Sequence, residues 1–241
     1  MYSSANRRYT APTVMEKLVF LLVLFTGCSA KYEADLKGKV FTFPLVSTNS
    51  YVELQPDVEG SLSAVTVCLR SFPDNKRANT LFSLATPSHM NAFLLYQPER
   101  GVYRVHINDI SYDFFGLPDH LNKWNSVCWT WDSRTGITQV WVNGMRSVRI
   151  MLYANGVIAG APSIILGQEQ DTYGGGFDKA QCFLGELTDV HMWNYVLTPC
   201  EINSYMSDFS FTPGNVLNWQ ALNYTVHSNV FVEENQPYGC Y

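Results

Sequence analysis

Between Ile164-Ile165-Leu166-Gly167 and Phe183-Leu184-Gly185-Glu186-Leu187, two segments apolar enough for buried strands, lies an unusual loop: Gln168-Glu169-Gln170-Asp171-Thr172-Tyr173-Gly174-Gly175-Gly176-Phe177-Asp178-Lys179-Ala180-Gln181. It gathers the carboxylates of Glu169, Asp171 and Asp178 with the side-chain amides of Gln168, Gln170 and Gln181. Its triple glycine permits a tight fold-back. Such a donor set suits a hard cation, because calcium takes about six to eight oxygens from carboxylates, amide carbonyls and backbone carbonyls. The D-x-D-x-D-G spacing of an EF-hand is absent. By composition alone the loop could equally be a solvated acidic turn.

Other chemistries fare worse. No G-x-S-x-G elbow occurs, and His89, His106, His120, His191 and His227 show no nucleophile at a recognisable spacing. Glu186 and Asp189 are the nearest pair for a glycanase, but strand alternation would send an i, i+3 pair to opposite faces. The chain is therefore not expected to be an enzyme. No C-x-x-C pair or Cys/His ligand spacing for zinc is present. The formal charge of −5 disfavours nucleic acid bound by bulk charge.

The elements that must position the loop are strands. With 241 residues, 46% hydrophobic and only 15% charged, the chain can bury a sizeable core. Short runs rich in Val, Ile, Phe, Tyr and Thr recur at 39–43, 50–55, 64–70, 79–85, 91–96, 101–107, 110–115, 124–131, 137–142, 146–152, 163–167, 183–193 and 230–232. That spacing predicts an all-β, two-sheet antiparallel jelly-roll sandwich. Asn143-Gly144 after Val140-Trp141-Val142 signals a type I′ hairpin. Thr198-Pro199-Cys200-Glu201 is a capping box with Pro at N1, flanked by the Leu197/Ile202 staple, and predicts one helix near 199–206.

Residues 1–30 stand apart from the fold. Lys17, an apolar run over Leu18–Thr26 and small residues at Gly27-Cys28-Ser29-Ala30 form a secretory signal, with 1–14 as an upstream extension before Met15. The run is shorter than the roughly 20 apolar residues of a span, so a secreted protein without a transmembrane anchor is expected. Its removal takes away Arg7, Arg8 and Lys17 against Glu16 alone, leaving a more acidic single domain over 31–241. The cysteines then left are Cys68, Cys128, Cys182, Cys200 and Cys240, an odd number in an oxidising compartment. Cys68 and Cys128 sit in strand-like apolar segments, the setting of a bridge within a sheet or between sheets. A Cys68–Cys128 disulfide is expected with Cα atoms about 4.4–6.8 Å apart. Cys200–Cys240 is a second expected pair, with a Cys240 bond between chains as its rival. Asn223-Tyr224-Thr225 is a glycosylation sequon, placed at Asn223 on a turn.

Several segments together resemble the short pentraxin family. They are Ser163–Asp171, Gly174-Gly175, Met192-Trp193, Leu197-Thr198-Pro199 and Asn215-Val216-Leu217-Asn218-Trp219. Cys128-Trp129-Thr130-Trp131-Asp132-Ser133 matches most of H-x-C-x-[ST]-W-x-S, with Ser126 in place of His. Phe41-Thr42-Phe43-Pro44 and Thr66-Val67-Cys68-Leu69 agree with the start of the mature family chain, so the similarity spans roughly 31–235. It implies a lectin-like subunit of a homopentamer, a secreted acute-phase protein of innate immunity. Such a protein recognises phosphocholine, phosphoethanolamine or acidic carbohydrate on microbes and damaged cells, and complement is a further implied partner. It also implies two calcium ions per subunit. One would be held by Asn91, Glu169, the Gln170 carbonyl and Asp171, the other by Glu169, Asp171, Asp178 and Gln181.

Departures from the family pattern qualify these sites. Met90-Asn91 stands where Asp-Asn is usual, and a thioether gives a hard cation almost nothing. Asp178 replaces a Glu and is one methylene shorter. Both changes predict weakened calcium binding. In the ligand pocket Tyr96 takes the position of the residue that packs on choline methyls, His106 replaces a threonine floor, and Ser111 replaces an acidic residue. Tyr96 alone would then meet a quaternary ammonium, a cation–π contact of about 0.5–2 kcal/mol. His106 would favour an anionic or sugar ligand. The alternative is a laminin-G-like adhesion module with one calcium ion and protein or glycan ligands. A loop with donors for two ions argues against it.

Overall fold

Val65, Val67 and Leu69 alternate with Thr66, Cys68 and Arg70 along strand β3 (Ala64–Pro73), and the alternation separates two environments. The valines and leucine enter the main core, whereas Cys68 joins a smaller apolar cluster on the opposite side. A strand buried on both faces belongs in the middle of a sheet. The computed structural model describes residues 35–57, 60–74 and 76–236, so the leader over 1–30 and Cys240 lie outside the described residues.

The sheet around β3 runs β10 (Met145–Arg146), β9 (Ile137–Val142), β8 (Asn125–Asp132), β3, β13 (Gly185–Trp193), β1 (Lys39–Phe43) and β15 (Phe231–Glu234), with β11 (Ile150–Met151) also paired to β9. The second sheet runs β14 (Asn223–His227), β2 (Tyr51–Gln55), β12 (Ser163–Leu166), β4 (Asn79–Thr86), β5 (His89–Gln97), β6 (Val102–Ile107) and β7 (Ile110–Phe115). Both sheets are antiparallel, and their inner faces close on one core in which Phe93 of β5 stacks on Trp129 of β8, ring centroids 3.5 Å apart. This is the expected two-sheet sandwich.

The helix α1 (Pro199–Met206) forms where its caps predict. Glu201 N donates to Thr198 Oγ1 at 3.3 Å, Thr198 N donates back to Glu201 Oε2 at 2.7 Å, and Leu197 and Ile202 are both buried. It covers the outer face of the first sheet, where Ile202 and Tyr205 pack with the Cys68–Cys128 disulfide. The bridge is within one sheet, between residues directly opposite on β3 and β8. Its Cα separation of 4.1 Å is below the expected range. Directly opposed antiparallel residues can approach to about 4.5 Å before any bond draws them together. Cys182 is buried and Cys200 is an exposed thiol, both free.

Three sequence expectations change. Residues 146–152 form two short strands rather than one, because the Ser147 hydroxyl accepts from Val140 N at 3.1 Å and interrupts the ladder. Asn223 opens edge strand β14 instead of a turn, since Asn223–His227 pairs residue by residue with β2. Glu186 and Asp189 do not follow simple alternation. A bulge lies between Thr188 and His191, Asp189 takes φ 53, and its carboxylate meets Arg70 Nε at 3.0 Å.

Candidate metal and ligand site

The loop 168–181 leaves β12 and returns toward β13, and backbone bonding closes both its base and its tip. Phe183 N donates to Gly167 O at 2.9 Å, while Thr172 and Gly175 exchange bonds of 3.1 and 2.9 Å. At Gly176, φ is +75 and an added Cβ would lie 2.9 Å from the Asp171 Cβ, so the fold-back needs glycine there. Gln170 is fully buried and staples the loop to the sheet. Its Nε2 donates to Ser163 O at 3.1 Å and Ser83 O at 3.2 Å, and its Oε1 accepts from Gly174 N at 2.9 Å. That side chain is fully engaged, so Gln170 can offer an ion only its backbone carbonyl. Phe177, whose role the sequence reading missed, packs on Tyr51 of β2 at 4.9 Å, and Tyr51 in turn stacks on His227. A lone aromatic in an acidic, glycine-rich loop was the available signal.

Glu169 is only 4% exposed, with Asp171, Asp178 and Gln181 around it. Burial, then the Asp171 charge, pushes its carboxyl up to about 7, against the bond it receives from Gln181. Among the described residues, the buried amide or carboxylate oxygens without a partner are Gln168 Oε1, Glu169 Oε2 and Gln181 Oε1 of this loop, Asn91 Oδ1 of β5, and Asn108 Oδ1 of the β6–β7 turn. A buried acceptor left unpaired costs about 1–3 kcal/mol. Partnerless oxygens beside the Glu169, Asp171 and Asp178 carboxylates favour a cation. No three His, Cys, Asp or Glu side chains form a metal-ligating group among the described residues. The donors that converge here are instead a mixture of carboxylate and amide oxygens, which suits calcium and excludes soft metals.

Asn91 sits near the start of β5, held by a second residue the sequence reading missed. Asp109, in the tight β6–β7 turn at φ 68, accepts from Asn91 N at 2.8 Å through Oδ1 and contacts His89 Nδ1 at 2.8 Å through Oδ2. Asn108-Asp109 between two strand-like runs was the legible signal, since both residue types tolerate positive φ. Met90, beside Asn91, is half-buried on the same strand.

Tyr96 and His106 lie on the outer face of the second sheet as diagonal neighbours. Tyr96 pairs with Arg104 and His106 with Leu94, while His106 also faces Ser111 across β6 and β7. Burial raises the Tyr96 hydroxyl's pKa, with Glu169 and Asp178 pushing the same way and Arg104 opposing, so Tyr96 adjoins the acidic loop. Arg104 is held in a two-pronged pair with Asp113, at 2.7 and 2.8 Å. Burial, then Arg104, lowers the pKa of His106, whose Nδ1 is buried without a partner. The structure thus brings Glu169, Asp171, Asp178, Gln181 and Tyr96 together. Asn91 and His106 belong to the same strand pair, with His106 opposite Leu94 and Asn91 bonded to Asp109.

Comparisons with known proteins bear on the family and the fold. The Pentaxin family model matches residues 39–234. A C-reactive protein of Sus scrofa is 42% identical over 220 residues, covering 91% of this chain and 98% of that relative. A serum amyloid P-component of Mus musculus is 40% identical over 220 residues, covering 90% and 97%. Among solved structures, a native heptameric SAP-like pentraxin from Limulus polyphemus shares the fold with a TM-score of 0.75 at 24% identity, over 83% of this chain and 97% of that one.

Proposed function

Because this chain belongs to the pentaxin family, we propose that it is a secreted, calcium-dependent pattern-recognition protein that binds phosphorylated head groups or acidic glycans, without catalysis. The observation that carries the calcium dependence is the set of buried, partnerless oxygens at Asn91, Glu169 and Gln181. Asn91, Glu169, the Gln170 carbonyl and Asp171 would hold one ion, and Glu169, Asp171, Asp178 and Gln181 a second. Bound calcium supplies a hard positive centre on which ligand phosphate or carboxylate oxygens settle.

Around that centre the protein's own groups select the ligand. Tyr96 offers an aromatic face, and His106 is held toward its neutral form, so it presents hydrogen-bonding nitrogens rather than a fixed charge. Arg104 is neutralised by Asp113 and adds little net positive charge. With Ser111 where an acidic residue would meet choline, a phosphomonoester or an acidic sugar fits better than a quaternary ammonium. Assembly into a cyclic homo-oligomer, a pentamer by the family resemblance, is part of the same reading. Among the described residues, no helix is long and apolar enough to cross a membrane.

Retention on phosphoethanolamine, phosphocholine and sulfated-glycan matrices tests this function. Retention in calcium with elution by chelator is expected, strongest on a matrix without choline. Retention that chelator leaves unchanged would contradict it.

A further inference from the structure

On the first sheet, a cavity of about 300 Å³ opens between α1 and the Asn143–Gly144 hairpin turn. It is lined by residues of β3, β8 and α1 and by none of the calcium loop. Ser126 of β8 is 6% exposed, and its hydroxyl is buried with no partner. Opposite it in register stands Arg70, whose charge is already compensated: Nε meets Asp189 at 3.0 Å, and Nη2 meets Asp208 and the Tyr205 carbonyl. Asn143 is fixed, with Oδ1 accepting from Ser126 N at 2.8 Å and Nδ2 donating to Asn125 at 3.1 Å. Gly144 N donates to Met206 Sδ at 3.3 Å, tying the turn to the helix. Trp124 and Met206 give the lining apolar surface, and Asn203 adds an exposed amide.

We propose that this cavity is a calcium-independent binding site for a neutral monosaccharide unit. A lone buried hydroxyl needs a partner able both to donate and to accept, which a sugar hydroxyl does. An indole and a thioether can cover the apolar face of a sugar ring, while amides read its hydroxyls. The Asp189 and Asp208 carboxylates around Arg70 disfavour an anion. The volume lies at the small end of ligand pockets, about 300–1,000 Å³, and suits one ring rather than a chain.

The test uses the whole protein in excess EDTA, so that calcium-dependent binding is silent. Galactose, mannose and N-acetylglucosamine are titrated to high millimolar concentration, followed by tryptophan fluorescence and by NMR. At least one sugar is expected to saturate, with affinity at least tenfold weaker in Ser126→Val, which removes the unpartnered hydroxyl, and in Asn203→Ala. Asn203 is exposed, so its variant decides the matter if Ser126→Val fails to fold. Calcium-dependent retention on the phosphoryl matrix should be unchanged in both variants. No saturation by any of the three sugars would overturn the proposal, as would binding unaffected in Asn203→Ala. Saturation only when calcium is restored would move the sugar to the other face and equally overturn it.

Discussion

Gln181 donates its side-chain amide to Glu169 across the ends of the acidic loop, yet Glu169 Oε2 and Gln181 Oε1 both remain buried without a partner. This contact steadies both side chains and leaves an unpaired oxygen on each. Asp171 and Asp178 add negative charge beside them, so in the absence of a cation this corner of the fold repels itself.

That repulsion predicts a pH dependence in chelator. The Glu169 carboxyl rises from 4.5 to about 7 on folding, so its contribution is full below pH 4.5 and is lost as pH rises through 7. A shift of that size corresponds to on the order of 3 kcal/mol. Denaturation midpoints in EDTA should therefore carry a falling component between pH 5 and 7.5 that Glu169→Gln removes. Saturating calcium should abolish it, and calcium affinity should weaken below pH 7 as protons compete. An identical pH profile for wild type and Glu169→Gln in EDTA would refute the assignment.

His191 predicts the opposite slope. It is 1% exposed beneath α1, its Nδ1 accepts from Gly214 N at 3.3 Å, and burial lowers its pKa from 6.5 to about 4. A depressed histidine stabilises the fold fully above pH 6.5 and loses that contribution as pH falls toward 4, by up to about 3 kcal/mol. Urea titrations of Glu169→Gln between pH 7 and 4.5 should isolate this loss. Stability unchanged over that window would show that His191 is not held neutral by the fold.

Met90→Asp should tighten calcium binding more than Asp178→Glu does. The first adds a full charge beside Asn91, whereas the second only lengthens a ligand already charged. Calcium affinity and melting temperature decide together. A lower melting temperature with unchanged affinity for Met90→Asp would show that position 90 does not reach the metal.

Much of the sandwich was legible because its strands obey period-two alternation between turn residues, and α1 because its caps are written in four consecutive residues. Edge strand β14 escaped notice because Asn223-Tyr224-Thr225 carries a surface sequon, and its strand character emerges only from pairing with β2. The bulge at Asp189 was invisible because alternation assumes an unbroken ladder, while Arg70 on the adjacent strand β3 recruits the carboxylate. The loop's oxygen donors are legible in the sequence, whereas their assignment to two ions follows only from the family resemblance. The contacts that position the site, Phe177 of that loop on Tyr51 and Asp109 on Asn91 of β5, are tertiary contacts that local pattern does not encode.

Calorimetric titration of calcium into chelator-stripped protein at pH 7.5, repeated with Glu169→Gln and with Gln181→Ala, tests the central claim most directly. Two ions per subunit are expected, with proton uptake by the buffer on binding and at least a tenfold loss of affinity in Glu169→Gln, which touches both sites. Calcium heats that are absent in wild type, or unchanged in Glu169→Gln, would contradict the account.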